Sequence, residues 1–198
     1  MTSAQKIFGT AIEPILTYGC EIWGLYTKLV FDSWDKTHIE KTHLRFWKMF
    51  LELNKKASNH ATRAEVGKYP LQITIINLIF KYYIYLKDKD DSSVVKQALI
   101  ISQDLGQKFY NSYHSKLLDL LKFCNSRKLG QPHKLRPEHL PEMISHVKKN
   151  YSEFWKQKIE SSPKLDFYKK IKKDFSSEFY LDMVQNFEGL SRKQYVKF

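Results

Sequence analysis

The chain has 198 residues, a formal charge of +12, 42% hydrophobic and 15% aromatic side chains, and only seven Gly and six Pro. This composition excludes a disordered chain, a collagen-like repeat and a turn-rich all-β fold, and it predicts a helical protein of one domain or two small ones. The basic excess points to an anionic partner, whether phosphate backbone, lipid headgroup or acidic protein, without choosing among them.

Residues 3 to 18 place Ile7, Ala11, Ile15 and Tyr18 at helical spacing, with Pro14 inside as a break or kink. The YGCEIWG stretch, residues 18 to 24, reads as an ordered turn whose Trp23 anchors a core. Thr37 begins the clearest helix, in a capping box with Glu40, and that helix runs to about Leu53. One of its faces carries Ile39, His43, Phe46, Phe50 and Leu53, and another carries Lys41, Arg45 and Lys48. A short helix through ATRAEVG closes at Gly67, where a left-handed cap needs no β-carbon.

Pro70 suits the first turn of the next helix, whose stripe is Ile75, Leu78, Ile79, Tyr82, Tyr83 and Leu86. It is rich in β-branched residues but too long for an ordinary strand. The polar run KDKDDSS, residues 87 to 93, breaks the chain before a helical pair over roughly 94 to 126. SRKLGQPHKLRP, residues 126 to 137, reads as a linker, and short amphipathic helices follow near 139 to 160, 164 to 175 and 177 to 186. The expected organisation is a helical module over 1–126, a linker over 127–137, and a basic helical module over 138–198. The fold class is all-α, an irregular multi-helix bundle with a small basic helical C-terminal module.

Catalytic constellations are scarce. Asp90 and Asp91 sit in a lysine-bearing polar turn, where like charges point apart into water instead of gripping a metal pair. Glu40 and His43 form one ExxH, but a di-iron bundle needs a second copy. His38 and His43 are five residues apart and do not share a helix face as a metal-binding pair would. Cys20 and Cys124 have no CxxC spacing, so two reduced, buried thiols of an intracellular protein are expected. Phosphate-loop, nucleophile-elbow and dinucleotide fingerprints are missing, as is an apolar run of the ~18–20 residues that a membrane span needs.

The basic residues carry more information. Between 36 and 56 six Lys or Arg stand against Glu40 and Glu52; Lys41, Arg45 and Lys48 share one phosphate-facing track, which Lys55 and Lys56 continue. Between 148 and 173 nine lysines, among them Lys148, Lys149, Lys169, Lys170, Lys172 and Lys173, stand against Glu153, Glu160 and Asp166. They interleave with Tyr151, Phe154, Trp155, Phe167 and Tyr168, rings on which bases can stack. The spacing of Phe154 with Ile159 and of Phe167 with Ile171 instead favours a core role, leaving the lysines as phosphate contacts.

PILTYGCEIWG, residues 14 to 24, followed by IEKTHLRFWKMFLELNKKASNHATRAEVGKYPLQI, residues 39 to 73, resembles the region beyond the polymerase palm in non-LTR (LINE-type) retrotransposon endonuclease/reverse transcriptases. The resemblance holds over about 14 to 86, thins through 94 to 135 and returns faintly in the basic tail. Val66, where relatives often carry Leu, and Trp47 depart from the pattern. It implies a thumb and post-thumb helical region gripping the template and primer backbone during target-primed reverse transcription. It also implies a truncated fragment that lacks the upstream palm and a downstream Cys- and His-bearing segment, is not catalytic alone, and comes from an RNA-directed DNA polymerase.

Candidate phosphate contacts carried by the resemblance are Lys41, Arg45, Lys48, Lys55, Lys56, Arg63 and Lys68. The partners implied are RNA, DNA or an RNA–DNA hybrid and the upstream polymerase domain, with no membrane, no cofactor and no metal. Nuclear residence follows from the resemblance, with KKIKK, residues 169 to 173, as a localisation signal. The alternative is a protein-interaction bundle docking the polymerase domain or a host protein.

Overall fold

Pro14 has no amide proton, so a continuous helix through it would lose the bond to residue 10. In the computed structural model, which describes residues 3–124, 132–178 and 181, the chain answers with a change of helix type. Helix α1 (Ser3–Ile7) passes into a π-helical turn (Phe8–Ile12) and then α2 (Glu13–Leu16), with Pro14 in the first turn of α2. The Glu13 amide donates to Phe8 O, one residue farther back than in an α-helix. This extra residue rotates the buried face. Phe8 is buried with Ile12 and Leu16 packed beside it, whereas the predicted stripe Ile7, Ala11, Ile15 and Tyr18 is exposed, Tyr18 to 87%.

The elements that follow are α3 (Cys20–Trp23), a 3-10 turn (Gly24–Tyr26), α4 (Phe31–Trp34), α5 (His38–Phe50), α6 (Asn59–Val66) and α7 (Leu71–Lys87). After these come α8 (Val94–Lys108), α9 (Tyr113–Phe123), α10 (Leu140–Glu160) and α11 (Asp166–Ile171). The described residues contain no strand, so the fold is all-α. No helix among them is long and apolar enough to cross a membrane.

The chain divides into two units that are not sequential: Met1–Tyr18, Phe31–Leu71 and Asn150–Phe198 in the first, Gly19–Val30 and Gln72–Lys149 in the second. The divisions fall at 18/19, 30/31, 71/72 and 149/150, not within 127–137, of which residues 127–131 lie outside the described residues. The predicted 177–186 helix also lies largely outside them.

In the first unit Trp47 and Phe50 of α5, Leu51, Val66 of α6, Leu71, Phe8 and Leu181 form one cluster. Trp47 is fully buried, and its indole meets Phe8, Phe46 and Phe50 at ring separations of 5.0 to 5.8 Å. The inward face of α5 is therefore centred on Trp47, and the predicted Ile39, Phe46 and Leu53 lie only at its margin. Thr37 caps α5 as expected, its hydroxyl accepting from the Glu40 amide at 3.3 Å. Gly67 ends α6 in the left-handed conformation at φ 62°. It also leaves room for the C-terminal segment, since a β-carbon there would lie 2.5 Å from Ser177 N.

The second unit is built around α7, whose Ile75, Ile76, Ile79, Phe80 and Tyr83 are buried almost all round the helix. Gly24 permits the close approach of the 3-10 turn, since a β-carbon there would stand 2.6 Å from Ile75 Cγ2. Helices α8 and α9 pack together, with Ser112 capping α9 by accepting from Ser115 N at 3.1 Å. Lys87 Nζ donates to Leu135 O at 2.7 Å and ties residues 132–139 to the end of α7. Cys20 and Cys124 are buried, and burial pushes both thiols up to about 12, so they remain protonated and unreactive.

Candidate nucleic-acid interface

The α5 sequence places Lys41 and Arg45 one turn apart, and both side chains are exposed. Lys48 continues the same spacing but turns inward. Its ammonium donates to Lys55 O at 3.0 Å and to Asn59 Oδ1 at 2.8 Å, and burial lowers its pKa. Lys48 thereby fixes the backbone of residue 55 beside the end of α5. The Asn54 side chain tightens the same turn by accepting from Lys56 N at 2.9 Å. Lys55 and Lys56 are exposed on it.

Lys41, Arg45, Lys55 and Lys56 thus extend one basic track, and none pairs with a carboxylate among the described residues. Lys48 holds that track in place and is not a phosphate contact in this arrangement. Lys68 is half-buried, its ammonium 5.9 Å from the centre of the Trp47 ring.

Arg63 corrects the sequence reading most sharply. It is 1% exposed, and its guanidinium donates to Asp35 Oδ1 at 2.5 Å, to Glu40 Oε1 at 2.7 Å and, more weakly, to Tyr151 Oη at 3.5 Å. Burial opposes its charge, but Tyr151, Glu40 and Asp35 outweigh that and raise its pKa. Arg63 is unavailable to phosphate because both of its charge partners lie inside the unit.

Glu40, the other half of this network, is 0% exposed. It does not reach back to its own helix as a capping box would require; it accepts from Trp34 Nε1 at 2.8 Å, Leu71 N at 2.9 Å and Arg63. Nδ1 of His43 lies 2.9 Å from the same carboxylate, which fixes the proton on Nδ1 as the donor. Burial would raise the Glu40 carboxyl, but His43 and Arg63 overcome it and hold the group down at about 2. This ExxH pair is part of a packed ionic hub, and the described residues contain no group of three or more potential metal ligands. Asp90 and Asp91 are exposed, Asp90 accepting from Ser92 N at 2.9 Å in a local turn.

In the C-terminal part of the first unit, Tyr151 and Trp155 are core residues, Trp155 Nε1 donating to His60 O at 3.1 Å. Phe167 and Ile171 reverse the expected core role and are 65% and 64% exposed, because the segment docks through the face of Tyr168, whose hydroxyl donates to Glu65 Oε1 at 2.8 Å, and buried Lys172. Lys169, Lys170 and Lys173 are exposed around them, with Lys169 paired to Asp166 at 2.6 Å. Lys172 is buried, pairing with Glu178 and donating to Ser176 O at 2.7 Å, so it too is neutralised internally. Lys148 and Lys149 are exposed on α10 but belong to the second unit. Comparison with protein-family models, curated proteins and solved structures returns no match.

Proposed function

We propose that the chain binds nucleic-acid backbone without reading base sequence, and that Lys41, Arg45, Lys55 and Lys56 make the principal phosphate contacts. The observation that carries this reading is the sorting of its cations. Arg63 and Lys172 are paired with carboxylates inside the first unit, whereas these four are exposed and without carboxylate partners among the described residues. Lysines and arginines held on a firm helix and turn neutralise phosphates and release counterions, giving affinity without specificity. Exposed Phe167, amid Lys169, Lys170 and Lys173, offers a ring for stacking an unpaired base.

The resemblance to the region beyond the palm of non-LTR reverse transcriptases supports an RNA–DNA primer–template as the ligand. In that reading the chain grips its ligand in the nucleus and leaves catalysis to the polymerase domain. Fluorescence anisotropy of a labelled RNA–DNA primer–template across a salt series tests it. With six to ten phosphates engaged, affinity falls by roughly three to five decades between about 50 and 200 mM salt. Affinity indifferent to salt contradicts the proposal.

A further inference from the structure

The second unit carries a groove of about 770 Å³ that the nucleic-acid reading does not use, lined by one face of α7 and the start of α10. Asn77, Lys81, Ile84 and Tyr85 form one wall; Pro137, Leu140, Pro141, Ile144, Ser145 and Lys148 form the other. Its lining is mostly apolar, and Tyr85 is 53% exposed. The turns leading into α10 are anchored to α7 by the bond from Lys87 Nζ to Leu135 O, so the groove has fixed walls.

The two charged residues of the lining are both lysines. Lys81 stands on one wall and Lys148 on the other, both exposed, and Lys89 lies 4.2 Å over the Tyr85 ring. No Asp or Glu lines the groove. Glu138 and Glu142 are exposed on the same stretch of chain but do not belong to the lining.

We propose that this groove docks an amphipathic helix of a partner protein whose apolar residues are flanked by Asp or Glu. Leu140 to Lys148 presents roughly two helical turns. An apolar trough of that length accepts side chains at i, i+3, i+4 and i+7, as other helix-in-groove interfaces do. The flanking lysines select a helix with acidic shoulders and repel a basic one. Nucleic acid fits less well, because the lining offers one aromatic ring and two cations against five aliphatic or prolyl residues, Ile84, Pro137, Leu140, Pro141 and Ile144.

The test is selection of a displayed library of amphipathic peptides of about 16 residues, roughly four helical turns, on the full chain. Two variants are compared with it: Ile144→Glu, and the doubly reversed Lys81→Glu/Lys148→Glu at two exposed positions, each checked for folding by circular dichroism and thermal unfolding. The expected result is enrichment of peptides with Asp or Glu beside Leu, Ile or Phe at helical spacing. Those peptides should bind Ile144→Glu at least tenfold more weakly, and the charge-reversed chain should prefer Lys-flanked peptides instead.

If Ile144→Glu does not fold, the charge-reversed chain alone decides. Failure to enrich any peptide, enrichment without acidic excess, or binding unchanged in a folded variant overturns the proposal. Self-association of the chain abolished by the groove variants overturns it in favour of a second copy, and competition by a short oligonucleotide in favour of nucleic acid.

Discussion

Glu40 Oε2 accepts a hydrogen bond from the backbone amide of Leu71 at 2.9 Å, so a carboxylate on α5 caps the first residue of α7 from outside that helix. An anion suits a helix N-terminus, whose amides lack internal partners. The same carboxylate faces Arg63, so one side chain fixes α5, α6 and the start of α7. Replacing it by Gln leaves the buried guanidinium with Asp35 as its remaining carboxylate partner. Glu40→Gln is expected to cost on the order of 3–5 kcal/mol in urea unfolding. Glu40→Met/Arg63→Met should cost less than the sum of the single changes, because neither charge is then left alone. Strict additivity would show that the pair is not coupled.

The hub also predicts an acid limit. Glu40 is held at about 2 against an ordinary 4.5. A depressed carboxyl contributes stability that is complete above the unfolded value and is lost as pH falls from about 4.5 towards 2. Burial lowers His60 as well, so its contribution starts to fade as pH drops below its ordinary 6.5. Thermal unfolding from pH 7 to pH 3 should show midpoints that fall steadily, with a flatter profile in Glu40→Gln below pH 4.5. Parallel profiles would remove Glu40 as a cause.

Gly67 faces two constraints at once, a left-handed backbone and Ser177 N at 2.5 Å from any added β-carbon. Gly67→Ala should therefore destabilise by more than the ~1 kcal/mol typical of a left-handed glycine site. Limited proteolysis should then cut near Ser177 sooner than in the parent chain. A loss of stability without earlier cutting would confine the effect to the cap.

Glu52 is the one non-glycine residue with positive φ among the described residues, at 54°, and it ends α5 with Leu53 N donating to Lys48 O at 2.8 Å. Glycine fits that cap without the β-carbon penalty. Glu52→Gly should raise stability by up to about 1 kcal/mol in chemical denaturation. It also removes an exposed negative charge next to Lys55 and Lys56 in sequence, so primer–template affinity at low salt should rise. Stabilisation without tighter binding would place Glu52 off the basic track.

The features legible in the sequence were local ones. Thr37 as a cap, Gly67 as a stop, the break at 87–93 and the helical pair after it need only neighbouring residues to be read. Glu40 was legible as an acid near a helix start, but its partners Arg63 and Leu71 lie far along the chain, so a local capping box was the natural and incomplete reading. Lys48 and Arg63 stand at phosphate-facing positions in the sequence, and no local pattern separates an exposed cation from one that folds onto a carbonyl and an amide, as Lys48 does, or onto distant acids, as Arg63 does. The buried face of the first helices was missed because a π turn at Phe8–Ile12 shifts the period by one residue. Pro14 signalled a disturbance there without giving its sign.

The central claim, that an exposed basic track grips phosphates, is tested most directly by comparing the salt dependence of primer–template binding for the parent chain and Lys41→Ala/Arg45→Ala/Lys55→Ala/Lys56→Ala. These side chains support no core contact, so thermal unfolding should be unchanged. The account predicts weaker binding at low salt and a log–log salt slope shallower by roughly three to four, at about 0.7 to 0.9 for each of the four lost phosphate contacts. An equal slope and affinity in the variant, or no binding by the folded parent chain, would contradict it.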